Sequence, residues 1–174
     1  MSEELSFPIG RFDRHAPITP EMRTSAIDAI AGLPKAIRAA VAGLRDQQLD
    51  TPYRPGGWTV RQLVHHVADS HMNGFIRAKL ALTEDNPTIK PYEQDEWARL
   101  ADMALPIDVS LNMLDGIHLR WATVWRAVTP GQLTRTFQHP EIGPLTLDQH
   151  LQLYAWHSRH HVAHITALRK REGW

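Results

Sequence analysis

The sequence of 174 residues predicts an all-α protein, a four-helix bundle. Three observations predict it. Four long stretches carry apolar side chains at helical spacing. Two of them open on a Thr-x-x-Gln capping box, Thr59 to Gln62 and Thr146 to Gln149. No alternating strand pattern of any length competes with them. The length suits one domain over residues 1–174.

Residues 1–18 read as an irregular arm, broken by Pro8, Gly10 and Pro17. Thr19-Pro20 then places an N-cap and a first-turn proline at the start of a helix running to about Arg45. Pro34 lies within that stretch, so it is either one kinked helix or two shorter ones. Residues 50–57 are a loop. The second helix starts at Thr59 and ends near Leu82 or Thr83, with Val60, Leu63, Val64, Val67, His71, Gly74 and Ala78 on one face. Residues 84–106 form a long connection containing Pro87, Pro91 and Pro106. A third helix spans about 108–128, with Leu111, Leu114, Ile117, Trp121 and Trp125 at helical spacing. Residues 129–145 suit a turn or a small hairpin, and the fourth helix runs from the second capping box to about Arg171.

Composition excludes several functions. Nineteen basic and nineteen acidic residues cancel, and no basic stripe suits nucleic acid. There is neither an apolar run of membrane-spanning length nor a basic amphipathic helix. The start lacks the pattern of a signal peptide, so the expected location is cytoplasmic. With no cysteine, disulfides, thiolate metal sites and a cysteine nucleophile are all ruled out. No HExxH, Glu-x-x-His pair, GxSxG or phosphate-binding glycine loop occurs.

Histidine is the outlier. Seven of the eleven fall within residues 65–71 and 157–164. On the fourth helix His157 and His161 lie one turn apart, as do His160 and His164. The inward stripe of Leu151, Tyr154, Ser158, His161, Ile165 and Leu168 contains His161 and borders His157. His164 lies further off and His160 points well away. A third ligand must come from another helix, and the second offers His65, His66 and His71. His71 is on its core face and reads as a core residue, while His65 and His66 lie on opposite flanks, between which the helical wheel does not choose. Two imidazoles at i, i+4 plus one from a facing helix leave open positions on an ion, which is the catalytic pattern. Otherwise these side chains are helix-flanking and core residues that bind nothing.

The stretch from Trp58 to Asn73, containing His65-His66-Val67-Ala68-Asp69-Ser70-His71, resembles the second helix of the DinB superfamily, and most closely its YfiT branch. Supporting segments are Phe7–Phe12, Tyr53–Trp58, Lys79–Glu84, Ile89–Tyr92 and Leu153–His157, so the resemblance covers nearly the whole chain. It implies an antiparallel four-helix bundle, often dimeric, holding one divalent ion per chain, zinc or nickel, on three histidines. By position these match His66, His157 and His161. Where many members have glutamine three residues after the last ligand, this sequence has His164.

That branch implies a metal-dependent hydrolase acting on a small-molecule substrate. Its neighbourhood includes bacillithiol S-transferases, so transfer of a low-molecular-weight thiol is the alternative, and a non-enzymatic helical dimer with a structural metal is a third. Asp69 and His164 are candidates to orient a ligand histidine from behind. Tyr92, Glu93, Asp95 and Trp97 on the long connection are candidates for a lid. No general base is identified, and His118 and His139 receive no role.

Overall fold

The computed structural model describes residues 5–174. Residues 1–4 of the expected arm lie outside the described residues. Four long helices dominate: α1 (Pro20–Val41), α2 (Val60–Thr83), α3 (Asp108–Ala127) and α4 (Leu147–Glu172). Both capping boxes form. Thr59 Oγ1 accepts from the Gln62 amide at 3.1 Å while Gln62 Oε1 accepts from the Thr59 amide at 2.9 Å. Thr146 and Gln149 repeat the exchange at 3.1 and 3.0 Å.

Helix α1 is one helix that ends earlier than its apolar pattern. Gly43 adopts φ +75°, a left-handed conformation that favours glycine, and the chain turns away there instead of continuing to Arg45. Pro34 sits inside α1 without dividing it. Proline has no N–H, so the carbonyl of Ile30, four residues earlier, loses its helical donor. His118 of α3 supplies the replacement, with Nδ1 at 2.5 Å from that oxygen.

The helix directions follow from paired contacts. Arg23 meets Asp148 at 2.7 Å and Arg169 meets the Ala40 carbonyl at 2.8 Å, so α1 and α4 run parallel. His65 meets Ser110 and Phe75 meets Trp121, so α2 and α3 also run parallel. Arg38 bonds Asn112 while Ile30 meets His118, which makes α1 antiparallel to α3. His71 bonds His157 while Gly74 meets His150, which makes α2 antiparallel to α4. The helices that pack side by side are α1 with α4 and α3, and α2 with α3 and α4. The four-helix bundle is therefore as expected, with α1 diagonal to α2, but its packing is antiparallel only for α1 with α3 and α2 with α4, because the long connection brings α3 back alongside α2 in the same direction.

This arrangement explains the long connection. A helix of 24 residues is about 36 Å long, and the chain must travel back along α2 before starting α3 in the same direction. Residues 84–107 make that return, with single helical turns at Gln94–Trp97 and Ala101–Ala104. The last connection contains a short antiparallel hairpin, β1 (Thr136–His139) with β2 (Gly143–Thr146), whose Phe137–Leu145 pair is buried.

The apolar core has two parts. One gathers Leu33, Ile37, Leu63, Val67, Leu114 and Ile165, and the other Ile30, Phe75, Trp121, Phe137 and Leu151. On α2 the first reaches Ala68 and the second begins at Phe75; on α4 the first begins at Ile165 and the second ends at Ala155. His71 on α2 and His157, His160, His161 and His164 on α4 occupy the interval between them, and His66 lies just before it, beside Val67 and Ala68 of the first part.

Candidate metal centre

His66 on α2 and His157 and His161 on α4 converge, with one nitrogen from each lying within 4.8 Å of the others. His157 and His161 face each other Nε2 to Nε2 at 3.0 Å, as their one-turn spacing allows. The ring centroid of His66 is 5.6 Å from that of His157 and 5.1 Å from that of His161. The Trp58 ring covers His66 from the loop before α2, with centroids 4.5 Å apart. Tyr154 Oη donates to the Ser70 carbonyl at 3.1 Å, joining α2 and α4 beside the cluster.

Burial sets the charge state. It pushes His66 down to about 4, and it holds His157 and His161 well below the usual histidine range, reinforced by neighbouring imidazoles. All three are therefore neutral near pH 7, the form that ligates a metal. Two bonds of about 2.0–2.1 Å at a tetrahedral angle would separate two nitrogens by about 3.3 Å, close to the observed spacing of the α4 pair. The donor set fits a transition ion with positions left open.

The two flanks of α2 are now distinguished. His65 turns away from the cluster: its Nδ1 lies 2.7 Å from Ser110 Oγ and its Nε2 lies 3.1 Å from the Leu105 carbonyl. The wheel left both flanks open because both are covered, one by the Trp58 loop and the other by α3 and the crossover segment.

The second pair on α4 departs from expectation. His160, expected to point away, is buried, stacked on Trp156 at 4.4 Å and close to Phe7 of the N-terminal arm. A helical wheel cannot register an arm folding over the outer face. His164 Nε2 lies 3.0 Å from His160 Nε2, with Tyr53 against its ring, so its hydrogen bond goes to His160 and not to the three converging histidines.

Among the described residues no hydrogen bond joins Asp69 to a histidine. Its carboxyl is half-buried, and burial together with nearby Asp102 pushes it up to about 6. Tyr92 and Trp97 pack ring to ring at 4.4 Å. Tyr92, Glu93 and Asp95 border a cavity of about 340 Å³ with Ser70, Arg77 and His139. That cavity starts one turn along α2 from His66, and its lining includes none of the three converging histidines. Sequence reasoning passed over His71, whose Nε2 lies 3.0 Å from His157 Nδ1. A core position with helical spacing gives no sign of such a contact.

The chain is similar to several known proteins. A protein of Bacillus cereus strain B4264, named "Putative metal-dependent hydrolase", is 56% identical over 171 residues, covering 98% of this chain and 99% of its own. A protein of Bacillus cereus strain ZK / E33L with the same name is 55% identical over the same length. The structure of YfiT from Bacillus subtilis, described as a probable metal-dependent hydrolase with an unusual four-helix bundle topology, matches with a TM-score of 0.94 and 46% identity. That match covers 98% of this chain and 99% of the other. The family model for the DinB superfamily matches residues 29–165. That stretch is well over half of the chain, and it contains His66, His157 and His161; the chain belongs to the DinB superfamily.

Proposed function

We propose that this protein is a metal-dependent hydrolase of small-molecule substrates, whose single divalent ion, zinc or nickel, is held by His66, His157 and His161. The observation that carries this reading is the convergence of three neutral imidazoles within 4.8 Å, drawn from two helices. The relatives named as metal-dependent hydrolases support the reaction class. An ion held there would supply Lewis acidity toward a substrate oxygen and lower the pKa of a water. The chain's own residues hold the geometry: the capping box of α2 sets where His66 starts, Trp58 shields its ring, and the Tyr154–Ser70 bond fixes the α2–α4 spacing.

The test is bound metal by mass spectrometry on tag-free protein, followed by turnover of activated esters and amides with and without a low-molecular-weight thiol. About one ion per chain is expected, lost in His66→Ala, His157→Ala and His161→Ala and kept in His65→Ala. Wild-type protein that cannot be loaded sinks the reading. Turnover that appears only with thiol replaces hydrolysis by thiol transfer.

A further inference from the structure

Both nitrogens of His157 are engaged. Nε2 faces His161, and Nδ1 lies 3.0 Å from Nε2 of His71. His71 is fully buried on the core face of α2, and its ring is held on several sides. His118 stacks on it with centroids 4.9 Å apart and planes 28° apart. Tyr154 and Trp121 meet it edge-on at 5.1 and 5.8 Å. His118 is itself anchored, since the Ile30 carbonyl can only accept and so fixes its proton on Nδ1.

A neutral imidazole carries one N–H. If His157 gives Nε2 to a metal, that nitrogen is bare and the proton sits on Nδ1. It then needs an acceptor, and among the described residues the only atom placed for it is His71 Nε2. We infer that His71 is a positioning residue for the metal site: its bare Nε2 accepts the Nδ1–H of His157, fixes that ring and its tautomer, and keeps the His157 Nε2 lone pair aimed at the space shared with His66 and His161. The inference rests on the reading of His157 as a ligand. Partners of this kind commonly change metal affinity about 10–100-fold when removed.

The experiment measures zinc affinity by competition with a chelating indicator for wild type, His71→Leu, His71→Gln and His157→Ala. Thermal midpoints of the metal-free proteins are measured alongside. Leucine fills the site without an acceptor, whereas the glutamine carboxamide oxygen reaches the place of Nε2. His71→Leu is expected to weaken zinc binding about 10–100-fold, and His71→Gln to stay within a factor of a few of wild type. In ¹⁵N NMR of zinc-loaded wild type, His157 should be protonated at Nδ1 and His71 bare at Nε2. Positioning is overturned if His71→Leu binds zinc like wild type, if the two His71 variants lose affinity equally and in step with their midpoints, or if His71 Nε2 carries the proton. A wild type that takes no zinc removes the ligand reading and the positioning role together. Loss of zinc in His157→Ala but not in His71→Leu overturns the positioning role alone.

Discussion

His118 Nδ1 stands 2.5 Å from the Ile30 carbonyl, the acceptor that Pro34 leaves without a helical donor. Removing the imidazole in His118→Leu should strand a buried carbonyl, at a cost of about 1–3 kcal/mol. Pro34→Ala returns an N–H to the same oxygen, so the double variant should lose less than His118→Leu alone. A urea double-mutant cycle measures the coupling; strict additivity would mean the two residues do not share that carbonyl.

Gly74 should not tolerate a methyl group. A Cβ there would lie 2.4 Å from Cζ of Tyr154 and 2.8 Å from the Trp121 ring, both buried aromatic groups. Gly74→Ala would normally gain helix propensity of about 1 kcal/mol. Here overpacking should win, lowering stability by about 1–3 kcal/mol in denaturant unfolding. A variant as stable as wild type would show that Tyr154 has room to move.

His65 and His66 are neighbours with opposite expected phenotypes. His66→Ala should abolish metal binding. His65→Ala should bind metal normally while losing about 1–2 kcal/mol of stability, because the Ser110 hydroxyl and the Leu105 carbonyl lose their common partner. Bound-metal analysis and thermal unfolding of both variants read the contrast directly, and metal loss in His65→Ala would contradict it.

Acid should unfold the metal-free protein early. Burial holds His118 and His150 at about 4 and His164 at about 3, against an unfolded value of about 6.5. Between those limits the unfolded chain binds more protons, so this stability is complete above about pH 6.5 and drains away as pH falls toward 4. Asp69, raised to about 6, works in the other direction, gaining stability as it protonates, but it is one group against several. The urea midpoint should therefore drop steadily from about pH 7 to pH 4. A flat profile would show that these imidazoles are not buried in solution.

Much of the fold was legible because its signals are local. Thr19, Thr59 and Thr146 announce helix starts through their own side chains, and the structure uses all three as caps. The pairing of His157 with His161 is local too, being set by helical pitch. What was not legible depends on distant segments. Nothing near His160 reports that Phe7 folds over it, and nothing near Pro34 reports that His118 will bond the freed carbonyl. The parallel course of α2 and α3 leaves only one trace, the length of the connection between them. The choice of His66 over His65 came from resemblance to a family, since both flanks of α2 are covered.

The antiparallel contact of α2 with α4 has a consequence for how the protein matures. His71 and His157 stand 86 positions apart in sequence, with the whole of α3 and the hairpin between them. An ion shared by these two helices would tie a very long loop, so its binding energy would stabilise only the fully assembled chain. A nascent or truncated product lacking α4 would offer one imidazole and capture metal weakly. Loading would thus distinguish finished molecules from incomplete ones, and a cell short of the ion would accumulate a more fragile protein along with an inactive one.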